Sequence, residues 1–180
     1  MSYTLIHIFG SSGSGSTTLA RAISQAYHYH FIDTDDAIWE ETDPPFNIRK
    51  TDDEALNYLK SELNQYPKSV ISGAFVGWGE EIKKQVDLFV YMHLPLDIRL
   101  ERIKKREKNR FHDRVEPGGD LYLQHLDFLN WVSLYEELDE SKRSQKQHHA
   151  WLQSVQQPVI EIYEEKSIEE LLEILGPYLG

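Results

Sequence analysis

Apolar positions along this chain fall into two alternating patterns. Short runs rich in Ile, Val and Phe, at Tyr3–Phe9, Tyr29–Ile32, Ser69–Ser72, Asp87–Leu94 and Pro158–Tyr163, read as buried parallel strands. Between them, apolar residues recur at helical spacing. Leu19, Ala22, Ile23 and Ala26 do so within Thr18–Tyr27, Ala55, Leu56, Leu59 and Leu63 within Asp52–Gln65, and Ile98, Leu100 and Ile103 within Asp97–Lys108. The helix over 52–65 should stop before Pro67. Behind the break at Pro117, Gly118 and Gly119, a helical stretch, with room for an interruption, runs from about Leu121 to Leu152. The last helix opens at Ser167, with Glu170 in capping-box spacing, and carries Leu171, Leu172 and Ile174. Strands alternating with helices at these lengths predict an α/β fold of three layers (α/β/α) around a five-stranded parallel sheet. A length of 180 residues suits one such domain over 1–180, and no repeat, low-complexity segment or linker divides it.

Composition narrows the chemistry. The absence of cysteine excludes a disulfide framework, thiol catalysis and a zinc–thiolate site. The first apolar run, MSYTLIHIFG, is too short to span a bilayer and lacks the basic flank of an export signal, so a cytoplasmic protein without a membrane partner is expected. A net charge of −11 argues against binding polymeric nucleic acid. Yet Arg99–Arg114 holds eight of the nineteen Lys and Arg residues against only Glu101, Glu107 and Asp113. A cationic segment in an acidic chain points to a small anionic ligand.

Gly10-Ser-Ser12-Gly13-Ser14-Gly15-Ser16-Thr17 lies between the first strand and the first helix, followed by Thr18. It matches the phosphate-loop pattern G-x-x-x-x-G-K-[ST] at Gly10, Gly15 and Thr17, with Ser16 in the place of the lysine. The strand before and the helix after set it apart from a flexible serine-glycine turn. Backbone amides of such a loop surround phosphate oxygens, and Thr17 would offer its hydroxyl to Mg²⁺. Serine brings no charge, so another cation must stand in for the lysine, with Arg102, Arg106, Arg110 and Arg114 as candidates, or transfer is weak. After the second strand come Asp33, Asp35 and Asp36. One of them could hold Mg²⁺ through water, another could take a proton from an acceptor hydroxyl, and Asp36 is the expected cap of the following helix.

The order of phosphate loop, helix, F-I-D-T-D, S-G after strand three and R-x-x-R-x-x-x-R resembles the shikimate kinase, gluconate kinase and adenylate kinase group. It also resembles adenylate-kinase-related bacterial P-loop proteins that share G-S-G-[ST]-T-T, D-T-D-D, T-D-P-P-F and P-G-G-D. The resemblance runs from Ser2 to about Arg114 and over strand five. It implies a P-loop NTPase fold with a helical lid, at about 106–120 here, that uses ATP or another NTP with Mg²⁺. It also implies that Asp33 and Asp35 serve the metal and the acceptor, and that Arg106, Arg110 and Arg114 occupy the lid.

Trp39, Phe46, Arg49, Gly73, Phe75 and Trp78 should border the acceptor pocket, as aromatic covers for a base or sugar ring and as an anion contact. His28, His30, His148 and His149 lack metal-ligand spacing and read as structural. The expected activity is phosphoryl transfer to a small-molecule acceptor (a nucleoside, a nucleotide or another hydroxyl compound) by a monomer or homodimer. Two alternatives stand beside it. One is a nucleotide-binding sensor or scaffold of weak or no activity. The other is a partner-binding protein that docks through Tyr122, Leu126, Leu129, Trp131 and Tyr135.

Overall fold

A computed structural model describes residues 3–180; Met1 and Ser2, where the N-terminal reading and the resemblance begin, lie outside the described residues. Strand β1 (Leu5–Gly10) leads through the glycine loop into helix α1 (Ser16–Tyr27), then β2 (His30–Asp33) and the short α2 (Thr34–Ile38). Next come α3 (Asp52–Gln65), β3 (Ser69–Ser72), the short α4 (Glu80–Lys83), β4 (Leu88–Met92) and α5 (Leu96–Phe111). A 3-10 turn at His112–Val115 precedes α6 (Tyr122–Ser133), α7 (Gln145–Leu152), β5 (Val159–Ile162) and α8 (Ile168–Leu179).

The strands lie in the order β2-β3-β1-β4-β5, and every pairing is parallel. Helices cover both faces, so β1 and β4 are buried at every position and their sequences read as nearly unbroken apolar runs. Alternate residues of β1 serve the two layers. Ile6 and Ile8 pack with Leu19 and Ile23 of α1 and with Leu171 and Leu175 of α8. Leu5 and Phe9 face Ala55 and Leu59 of α3 and Trp151 of α7. His7 shares this second face. Its ring stacks on Phe75 with centroids 3.9 Å apart, and its Nε2 lies 2.7 Å from the Gly73 carbonyl. Burial pushes its pKa down to about 3, so the neutral ring donates to that carbonyl and fixes the end of β3.

Three local expectations change. The buried stripe of α1 is Leu19, Ala20 and Ile23, with Tyr27 packed beside it, while Ala26 is exposed. The stretch from Leu121 to Leu152 is two helices, because Ser144 closes a turn between them. Its hydroxyl donates to the Asp139 carbonyl at 2.7 Å and accepts from the Gln147 amide at 3.0 Å, capping α7. Finally, α2 is capped by Asp33 rather than Asp36. Asp33 ends β2 with extended backbone angles, as a cap must, and its carboxylate accepts the Asp35 amide at 3.1 Å; Asp36 already lies inside the first turn. Among the described residues no helix is long and apolar enough to cross a membrane.

Candidate active site

The glycine loop leaves β1, the central strand, and rests against β4 and α5. A Cβ on Gly10, at φ +152°, would lie 1.8 Å from the Met92 carbonyl oxygen, so only glycine fits. The serines make the loop stiff. Ser11 Oγ and Ser14 Oγ are 2.6 Å apart, the Leu94 amide donates to Ser14 Oγ at 3.2 Å, and Ser11 Oγ lies 3.0 Å from His93 Nδ1. Ser14 therefore serves the loop through its backbone, with its hydroxyl committed to the end of β4. Helix α1 follows Gly15, its N-terminal cap residue, with no side-chain cap and no acidic residue in its first turn. Among the described residues no side-chain cap occupies its first amides, which leaves them and its positive end open to an anion. Thr17 Oγ1 lies 3.3 Å from Ser72 Oγ at the end of β3.

Two adjoining cavities, of about 470 and 670 Å³, share Ser16, Thr17, Asp33, Asp35, Phe46 and Arg106. Ser12 lines the first, Thr18 the second. Asp33 is desolvated and faces Asp35, which together push its carboxyl up to about 6 despite the Asp35 amide. Asp35 opens toward solvent in the cavity, but the surrounding walls still raise its pKa; Arg143, Arg106 and Arg110 oppose that rise, and Asp36 adds to it. Crowded carboxylates beside a threonine hydroxyl fit Mg²⁺, which takes few protein ligands and completes its shell with water and phosphate oxygens. Among the described residues no three acidic, His or Cys side chains converge to hold a metal without such help.

Asp33 makes the fold pH-sensitive. Its folded pKa, about 6, lies above its ordinary value of 3.8, so between those values the folded state binds more protons and loses stability as the pH rises. Asp33→Asn keeps the capping oxygen and removes the charge. At pH 7.5 the variant should be more stable than wild type by roughly 2–3 kcal/mol, a gap that closes toward pH 4, as urea unfolding at both pH values will show. An equal gap at both pH values would contradict this account.

The basic segment divides among separate tasks. Arg99 is fully buried, donating from Nε to the Leu94 carbonyl at 2.8 Å and pairing with Glu136. Arg102 lies 3.4 Å from the Ser14 carbonyl and 2.5 Å from Glu165. Arg106 pairs with Glu107 at 3.1 Å and lies 5.9 Å from the Phe128 ring. Arg110 covers Phe46 and Phe111, 5.1 and 5.0 Å from the ring centres. Arg114 turns away, bound to Asp43 at 2.6 Å and Asp120 at 2.7 Å, and so ties the 112–115 turn to the 42–50 loop.

Of the acceptor candidates, Trp39 and Phe46 line the smaller cavity, with rings edge-on at 6.1 Å. Gly73 lines it too, at φ +91°, where a Cβ would lie 2.0 Å from Thr34 Oγ1. Three others lie elsewhere. Phe75 is fully buried between His7 and Trp151 because the chain turns at Gly73 onto the α3 and α7 side. Trp78 packs edge-on to Phe75 at 6.2 Å and lines neither cavity. Arg49 is exposed and paired with Asp52 at 2.8 Å. The missing wall comes from α6, through Gln124, His125, Phe128 and Trp131. The suggested docking face thus comes apart: Trp131 faces the cavity, and Tyr135 is buried, hydrogen-bonded to Tyr91 at 2.8 Å and His148 at 2.7 Å. Arg143 was also hidden from sequence reasoning. It sits in the turn before α7, without a motif, and brings Nη2 to 3.5 Å from the Gly10 carbonyl.

A glycine loop at the head of a parallel sheet, with two carboxylates at the end of β2, one strand beyond β3, and arginines from the covering helix, is the arrangement of a P-loop kinase fold. The chain belongs to the AAA_18 family, described as an AAA domain, which matches residues 6–116. It is 36% identical over 175 residues to the uncharacterized protein YqaC of Bacillus subtilis (strain 168), covering 97% of each chain. It is 27% identical over 146 residues to a shikimate kinase of Clostridium botulinum (strain Okra / Type B1), covering 73% of this chain and 82% of that one. An unliganded sugar kinase from Janibacter sp. HTCC2649 shares the fold with a TM-score of 0.57 at 20% identity, over 97% of this chain and 93% of that one. The resemblance to small-molecule P-loop kinases read from the motifs therefore holds.

Proposed function

We propose that this protein is a cytoplasmic kinase that moves the γ-phosphoryl group of ATP, or another NTP, to a hydroxyl of a small ring-bearing acceptor. A nucleoside is favoured over a nucleotide or a sugar acid. One observation carries the reading: the phosphate loop, Asp33, Asp35 and an aromatic wall all border the same cavity. The wall, with Trp39, Phe46, Phe128 and Trp131, suits a planar or ring-shaped partner. The cations lining that cavity are Arg106, which also lines the phosphate side, and Arg143, which lies against the loop. A charged acceptor would lack a counter-ion of its own.

In this reading the loop amides and the start of α1 hold the phosphates, and Arg106 and Arg110 offset the charge that develops in transfer. Bound Mg²⁺ would supply Lewis-acid screening of the phosphate oxygens, held by Thr17 and, through water, Asp33. The acceptor hydroxyl gives its proton to the Asp35 carboxylate as its oxygen attacks the γ-phosphorus. The bond to the β–γ bridging oxygen breaks, and its electron pair leaves with ADP.

The test is ADP release from Mg-ATP with pooled nucleosides, nucleotides and sugar acids, compared with the rate without acceptor. A pool that stimulates release supports the reading, and none doing so overturns it. With the active acceptor, Phe46→Ala should raise KM about 3- to 10-fold with kcat little changed. Ser16, in place of the lysine, favours the second reading, a non-catalytic nucleotide-binding scaffold. That reading expects Mg-ATP binding without turnover in wild type and activity gained in Ser16→Lys.

A further inference from the structure

We propose that Arg143 supplies, from the turn before α7, the positive charge at the terminal phosphate that Ser16 leaves out of the loop. The inference rests on the kinase reading above. A loop with serine in the lysine's position meets its ligand with dipoles alone, so the charge must arrive from elsewhere in the fold. Arg106 and Arg110 of the covering helix can offset charge during transfer, but in the resting fold the arginines of this segment are already engaged. Arg102 and Arg106 pair with Glu165 and Glu107, Arg114 with Asp43 and Asp120, and Arg110 lies over two rings.

Arg143 differs in three ways. Among the described residues no carboxylate lies within 4.0 Å of its guanidinium. Its Nε is buried without an acceptor. Its Nη2 meets the Gly10 carbonyl only at 3.5 Å, the outer limit of a hydrogen bond. A half-buried cation whose Nε is buried and unpartnered is costly, and an anion set against it repays that cost.

The position matches the need. Arg143 lines the cavity that also holds Asp35 and the aromatic wall, so it faces the end of the triphosphate that meets the acceptor. The Trp131 ring lies 5.4 Å from the guanidinium carbon, and the adjacent residue is the buried cap Ser144, which keeps this arginine on the fold rather than on the lid. Its planar fork can grip two phosphate oxygens at once, which a lysine cannot do. Serine at 16 and arginine at 143 thus form an alternative to the loop lysine. Both cations together would crowd one phosphate.

Isothermal titration with Mg-ATP and Mg-ADP tests this in wild type, Arg143→Gln, Ser16→Lys/Arg143→Gln and, as a charge control, Lys105→Gln. Arg143→Gln should weaken ATP about 10- to 100-fold while ADP changes less than about 3-fold, so the preference for ATP collapses. The double variant should recover most of that preference, and Lys105→Gln should match wild type. ADP binding is the internal check on folding, and rescue by lysine is a result that a merely structural arginine would not give. An unchanged ATP-to-ADP ratio, equal loss of both nucleotides, or no rescue overturns the role of Arg143 and leaves the kinase reading standing. Failure of wild type to bind either nucleotide overturns the kinase reading itself.

Discussion

Asp35→Asn should lower kcat by about 10³-fold, within the range of 10²–10⁴ for loss of a positioned general base. Mg-ATP affinity should stay within about 3-fold of wild type. The division follows from the two carboxylates at the end of β2. Both line the cavity that the aromatic wall completes, but the Asp33 carboxylate is occupied as the α2 cap, whereas Asp35 is exposed there. Asparagine keeps the size and leaves the Asp35 backbone amide on Asp33, so the fold should be unaffected. Desolvation raises the Asp35 carboxyl above its ordinary range, so kcat should fall on the acidic side as that carboxylate takes up its proton, and Asp35→Asn should lose this limb. Steady-state kinetics between pH 5 and 8 checks both statements. A kcat within tenfold of wild type would remove Asp35 from the role of base.

Gly10→Ala should destabilise the fold by at least about 4 kcal/mol, among the largest single-substitution effects. The new methyl group would lie 1.8 Å from a backbone oxygen of β4, the neighbouring central strand, and no side-chain motion can relieve that. The residue also sits at φ +152°, which L side chains rarely adopt. At this chain length the loss corresponds to a fall in Tm of roughly 10 °C or more, or to no folded protein. Thermal and urea unfolding would read it. A loss under about 1 kcal/mol would mean that β1 and β4 do not approach as described.

Much of what depends on neighbours in the chain was legible from residues alone, the cap of α2 excepted. The bounds of α3 and β3, the capping box of Ser167 with Glu170, and the glycine loop between β1 and α1 all stand where apolar period, caps and glycines put them. These features are short-range because a helix or strand is set by side chains within a turn or two. Even there, burial decided details. Ala20 displaced Ala26 because the face of α1 is chosen by β1 and α8, not by the helix itself.

The candidate site shows the opposite case. Trp39, Phe46, Phe75 and Trp78 are alike in sequence, yet the first two line the cavity and the last two pack against the core, since the chain turns inward after Gly73. Likewise the eight cations of Arg99–Arg114 look like one cluster. Folding buries Arg99, sends Arg114 outward and leaves Arg106 and Arg110 at the phosphate side. Arg143, far along the chain and outside every motif, comes to rest beside Gly10 only because α7 packs over β1 and the Ser144 cap fixes the turn before it. Spacing along the chain thus establishes the class of protein and its phosphate loop. Which side chains share a cavity depends on contacts between distant segments, and no local pattern encodes those.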